Sequence, residues 1–125
     1  MTSRLNVLIV DDDPLIREMM IDILEFEGYH LRTARNGQEA LQVLQQGEEH
    51  YVVFLDLMMP IMDGSTLCRQ LAAQPELRHR HRIILMSAMN HLAAAASLQA
   101  DGLMPKPFSV EDVLQALAPF RSLSP

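Results

Sequence analysis

The chain has 125 residues, 49% of them hydrophobic and 21% charged, with a formal net charge of −6 and a pI near 5.2. That length fits one domain with one real core, and the acidic balance leaves no electrostatic footprint for DNA or RNA, so nucleic acid is not expected as a direct partner. Cys68 stands alone and cannot close an internal disulfide, and neither a signal sequence nor an apolar run of about 18 residues occurs, which points to the cytoplasm and away from membrane insertion.

Short apolar runs alternate with longer amphipathic stretches. Leu5 to Val10 (LNVLIV), rich in β-branched residues and bounded by Asp11-Asp12-Asp13-Pro14, reads as a buried strand. Ile16, Met19, Met20, Ile23 and Leu24 then recur at helical spacing up to Gly28, a C-cap candidate. A weaker strand follows near Tyr29 to Thr33, then a helix from about Gly37 to Gln46 and a strand YVVFL ending at Leu55. A helix from about Gly64 to Ala73, a strand RIILMS, a short alanine-rich helix after Asn90, a brief strand at Gly102 to Met104 and a helix from Ser109 to about Leu117 complete five β/α units. Nearly continuous apolar strands between amphipathic helices imply an α/β fold with a parallel sheet covered on both faces. One domain is expected over residues 1–120, with 121–125 as a C-terminal tail; no output domain follows, and a stand-alone regulator and a piece of a larger one both fit.

Right-handed crossovers put the C-terminal ends of parallel strands on one edge, where ligands of open α/β sheets bind at the switch in strand order. Asp11, Asp12 and Asp13 follow the first strand, Asp56 the third, Ser87 closes the fourth, and Lys106 follows the fifth. Lys106 is the one lysine beside nine arginines. Its ammonium is a compact point charge with three donors, suited to a carboxylate or a phosphoryl oxygen. Carboxylates crowded at one edge raise a pKa or recruit a cation. Mg²⁺ suits them best, because it takes one or two carboxylates and keeps waters and phosphate oxygens, whereas the EF-hand spacing for Ca²⁺ and Cys/His spacing for zinc are absent. A carboxylate beside Mg²⁺, a hydroxyl and an ammonium is a site for phosphoryl transfer with the carboxylate as nucleophile.

The segments VLIVDDDP, FLDLMMPIMDG, ILMSA and PKPF resemble, in order and spacing, the signature segments of receiver domains of two-component response regulators. The likeness covers essentially the entire chain. It implies a flavodoxin-like (βα)5 three-layer sandwich with strand order 2-1-3-4-5. It also implies that Asp56 accepts a phosphoryl group from a phosphohistidine on a histidine kinase or phosphotransfer protein, switching contacts with a downstream protein or output domain. By the same likeness Asp11 and Asp12 organise Mg²⁺, Asp12 directly, with the Met58 backbone carbonyl as a further ligand. Ser87 and Lys106 would grip the phosphoryl oxygens, and Lys106-Pro107 is expected to be cis. In receivers the side chains two residues beyond the phosphoacceptor and two beyond the hydroxyl residue flank the route of the hydrolytic water. Met58 and Met89 stand there.

Other motifs read as structure. Asp13 with Pro14 is expected to cap a helix, Asp63-Gly64 to start one, most methionines to fill the core, and Cys68 to be buried and inert. Arg78-His79-Arg80-His81-Arg82 reads as a solvated loop, and His50 and His91 have no evident partners. Leu103 stands where many receivers carry an aromatic switch residue, and the alanine-rich and last helices are poor in basic residues, so salt-bridged dimerisation there is not expected. The rival reading is a phosphatase, since Asp11-x-Asp13 resembles the nucleophile and acid/base pair of haloacid-dehalogenase-type enzymes. Pro14-Leu15-Ile16 departs from that pattern, and no room is left for a cap domain.

Overall fold

In the computed structural model, which describes residues 5–121, five parallel strands form one sheet in the order β2-β1-β3-β4-β5. β1 (Asn6–Val10), β3 (Tyr51–Asp56) and β4 (Arg82–Ala88) lie inside the sheet and are buried almost throughout, whereas β2 (His30–Ala34) and β5 (Gly102–Lys106) form the edges. Successive strand residues face opposite sides, so each apolar run feeds two cores. Leu8, Val10, Val53, Leu55, Ile83 and Leu85 pack on one side under α2 (Gly37–Gln45), α3 (Gly64–Ala72), α4 (Pro75–His79) and α5 (Leu92–Ala96). Val7, Ile9, Val52, Phe54, Ile84 and Met86 pack on the other under α1 (Pro14–Phe26) and α6 (Val110–Leu117). Each fully buried Leu, Ile or Phe contributes on the order of 1.5–3 kcal/mol. Among the described residues no helix is long and apolar enough to cross a membrane.

The helix ends follow local chemistry. Asp13 caps α1 by accepting from the Leu15 N–H at 2.9 Å, with Pro14 in the first turn where its missing N–H costs nothing. Gly28, at φ +87°, turns the chain out of α1 after Glu27, as its place in the sequence suggests. Asp63 caps α3 through the Thr66 N–H at 2.8 Å, and Ser109 with Asp112 forms a capping box on α6.

Three local readings are corrected. β5 runs on through Pro105 to Lys106, which an edge strand tolerates because one side of its backbone needs no ladder bond. The short helix α4 occupies part of the expected loop, opened by Pro75. His81 is not solvated: it is fully buried, and its Nδ1 accepts from the Tyr51 N–H at 3.1 Å. Of the tail expected over 121–125, only Arg121 falls within the described residues, where its Nε donates to Tyr29 Oη at 3.0 Å.

Strand register carries the polar residues together. Val10 pairs with Leu55, so Asp11 and Asp56 emerge side by side where the order reverses between β1 and β3. Asp56 pairs with Met86, putting Ser87 one step beyond, and Ala88 pairs with Lys106.

Candidate functional site

Asp11, Asp12 and Asp56 each bring a carboxylate oxygen within 4.8 Å of the others. Asp11 is fully buried, Asp56 is 6% exposed, and Asp12 is open to solvent. Lys106 reaches across from the end of β5, its Nζ 3.0 Å from Asp56 Oδ1 and 3.2 Å from Asp11 Oδ2. The Lys106-Pro107 peptide bond is cis, as the likeness implied.

Asp11 is held at every polar atom. Its N–H donates to Ala34 O at 3.2 Å, Oδ1 accepts from the Asp13 N–H at 2.9 Å, Oδ2 accepts from Lys106, and its carbonyl accepts from Arg17 Nη1 at 2.7 Å. The Asp12 carboxylate has no hydrogen-bond partner among the described residues. The contact from Arg17 is not visible in the sequence as a motif. Its only signal is a place one turn into α1, from which side chains lean back toward the helix start.

The electrostatics follow from this packing. Burial, and then the charge of Asp11, push the Asp56 carboxyl up to about 6 against the opposing pull of Lys106. For Lys106 burial works against the charge, but hydrogen bonding to Asp56 and the charges of Asp56 and Asp11 outweigh it and hold the ammonium above the usual lysine range. One ammonium therefore leaves the three carboxylates under-neutralised. An all-oxygen, net negative set with one exposed and unpartnered member fits a hard divalent cation such as Mg²⁺.

α3 approaches closely beneath Asp56. A Cβ on Gly64 would lie 2.5 Å from the Asp56 carbonyl oxygen and 3.0 Å from Leu57 Cα, so only glycine lets the Gly64 N–H reach Leu57 O at 3.0 Å. Met58 follows in the loop with 64% of its surface exposed, while the Met89 side chain lies outside what the structure describes. Ser87 is buried at the end of β4, and its Oγ donates to the Ala88 carbonyl at 3.1 Å rather than to the carboxylates. Leu103, on edge strand β5, is 43% exposed.

The remaining candidates take structural places. Asp13 caps α1 through Oδ1 and is not a member of the cluster of Asp11, Asp12 and Asp56, so nothing in the site favours the phosphatase reading. Cys68 is buried, its thiol pushed up to about 11 by burial. Met20, Met86 and Met104 fill the core, while Met19 and Met58 do not.

Residues 7–118 match the family model of the response regulator receiver domain. The response regulator MprA of a Mycobacterium species (strain KMS) is 35% identical over 121 residues, covering 96% of this chain and 52% of that protein; the chain spans about half the length of the curated relatives it matches. The signal receiver domain of a signal transduction histidine kinase from Syntrophus aciditrophicus superposes with a TM-score of 0.84 at 32% identity, covering 94% of this chain and 89% of that one. The response regulator TrrA from Thermotoga maritima, solved in complex with Mg²⁺-BeF, gives a TM-score of 0.80 at 29% identity, covering 92% and 97%. The strand order, the acidic edge and these likenesses agree: the chain belongs to the response regulator receiver domain family of two-component signalling.

Proposed function

We propose that this chain, over residues 1–120, is a phosphorylation-controlled switch in which Asp56 takes a phosphoryl group from a phosphohistidine on a histidine kinase or histidine phosphotransfer protein. An Asp56 carboxylate oxygen attacks phosphorus, the new O–P bond forms, the N–P bond breaks, and its electron pair returns to the donor imidazole. Asp11, Asp12, Asp56 and the Met58 backbone carbonyl would hold Mg²⁺, which supplies charge neutralisation at the phosphoryl oxygens. The observation that carries this reading is the single ammonium of Lys106 shared between Asp11 and Asp56 on adjacent strand ends.

Lys106 keeps Asp56 partly neutralised before transfer and is freed to donate to a phosphoryl oxygen once Asp56 has become an acyl phosphate. The Ser87 hydroxyl, now spent on the neutral Ala88 carbonyl, would exchange that acceptor for an anionic one, which is roughly twice as strong. The loop after β4 then has two arrangements, and the phosphoryl group biases them. Partner contacts with a downstream protein or output domain change with that loop. The chain acts as a phosphoacceptor that loses its own phosphoryl group to water, in the cytoplasm and without direct nucleic-acid contact.

The test is intact mass after incubation with acetyl phosphate and Mg²⁺. The chain should gain one phosphoryl group, and Asp56→Asn should gain none. Continuous phosphate release that depends on Asp11, without a stable adduct, would overturn the reading in favour of a phosphatase.

A further inference from the structure

Arg17 touches none of the three clustered carboxylates, yet it fixes the backbone that carries two of them. β1 ends at Val10, and the Asp11 carbonyl lies past the last strand pairing, where it needs a donor from elsewhere. Arg17 Nη1 supplies it at 2.7 Å, a charge-assisted hydrogen bond from a half-buried guanidinium. The Asp11 N–H is tied to β2 at the same time, so both ends of that residue are pinned and the plane of the Asp11–Asp12 peptide cannot rotate freely. Asp12 follows directly, with an exposed carboxylate free of other hydrogen bonds among the described residues; nothing but the backbone aims it.

We propose that Arg17 is a positioning residue for the divalent cation, holding the Asp11–Asp12 peptide so that the Asp12 carboxylate is presented together with Asp11 and Asp56. The inference rests on the reading of this cluster as a Mg²⁺ site. Its sign separates it from the alternatives. If Arg17 acted only as a nearby positive charge, it would repel the cation, and removing it would tighten Mg²⁺ binding. If it were merely structural, its loss would lower the melting temperature of the metal-free chain and leave Mg²⁺ affinity alone. A residue that orients a ligand gives weaker binding on removal, typically by about tenfold or more.

The experiment is calorimetric titration of Mg²⁺ into the full chain and into Arg17→Ala, with melting temperatures of the metal-free proteins and amide exchange at Asp11 and Asp13, whose N–H groups donate to Ala34 O and Asp11 Oδ1. Arg17→Ala should raise the Mg²⁺ Kd by about five- to tenfold, the lower end of what outer-shell partners contribute because this contact is half exposed. Exchange at Asp11 and Asp13 should speed up while the β3 amides stay protected. An unchanged or lower Kd overturns the inference while the Mg²⁺ site stands; no Mg²⁺ binding by the parent chain at millimolar concentration overturns both. Should Arg17→Ala fail to fold, Arg17→Gln removes the charge-assisted donor with less loss of packing, and the same rise or absence of rise in Kd decides.

Discussion

The Lys106 Nζ stands 3.0 Å from Asp56 Oδ1 and is shared with Asp11 at 3.2 Å, so one ammonium bridges the ends of three strands. Arginine at this position would keep the charge but present a wider planar fork where a mobile point donor is needed. Lys106→Arg should still bind Mg²⁺ and yet respond weakly to phosphorylation. Amide exchange around Ser87, with and without acetyl phosphate, checks this; a normal phosphorylation-dependent change in the variant would remove the special role of the lysine.

Asp56 is strained by its surroundings when no cation is bound. Its carboxyl is raised from 3.8 to about 6 by burial and by Asp11, so between those values the folded state binds more protons than the unfolded one. Stability from this group is therefore present at low pH and lost as pH rises toward 6. Asp56→Asn should stabilise the metal-free chain above pH 6.5 by about 1–3 kcal/mol, with the gain shrinking as pH falls toward 4. Denaturant melts in a chelator across that range measure it; a gain that does not vary with pH would contradict the buried charge.

His81 acts in the opposite sense. Its Nδ1 accepts from the Tyr51 N–H while Nε2 finds no partner among the described residues, and burial, then the charge of Arg80, lower it from 6.5 to about 4. Below pH 6.5 the unfolded chain takes a proton that the folded one refuses, so stability falls as pH drops, with a slope of up to about 1.4 kcal/mol per pH unit. Asp56 masks that slope between pH 6 and 4. In an Asp56→Asn background the acid loss should therefore be visible, and adding His81→Gln should flatten it. Equal slopes with and without His81 would show that the imidazole is hydrated in solution.

Much of the layout is legible in the sequence, and the remainder has physical reasons for being hidden. Continuous apolar residues from Val52 to Leu55 announce a strand buried on both faces, and Asp11, Asp56, Ser87 and Lys106 fall at strand ends that parallel topology must gather. Asp13 and Asp63 are readable as caps because capping depends on the next two or three residues. His81 is not, since its partner is a backbone N–H thirty residues away and its neighbours are arginines. α4 has five residues, too few for a helical period to show. Arg17 is hidden for the same reason as His81: its acceptor is a backbone carbonyl, which has no letter in the sequence.

The methionines near the site set an expected clock. Met58 is 64% exposed beside Asp56, and a thioether is at best a weak acceptor and no donor, so neither it nor Met89 can hold a hydrolytic water in line. The phosphorylated chain should be long-lived. Met58→Asn combined with Met89→Glu should shorten its lifetime by roughly ten- to a hundredfold, the scale of a positioned polar group. Loss of the phosphoryl group after donor removal in Mg²⁺ gives the rate, and an unchanged or longer lifetime would clear the methionines of this role.

If Asp56 is the phosphoacceptor, the phosphoryl group must be found on it, and chemical trapping locates it. After acetyl phosphate and Mg²⁺, reduction with borohydride converts an aspartyl phosphate to homoserine, and peptide mass mapping places it. One modified residue, Asp56, is expected, with no conversion when Mg²⁺ is chelated. Conversion at Asp11, Asp12 or Asp13 with Asp56 untouched, or a phosphoryl group on a histidine, would contradict it.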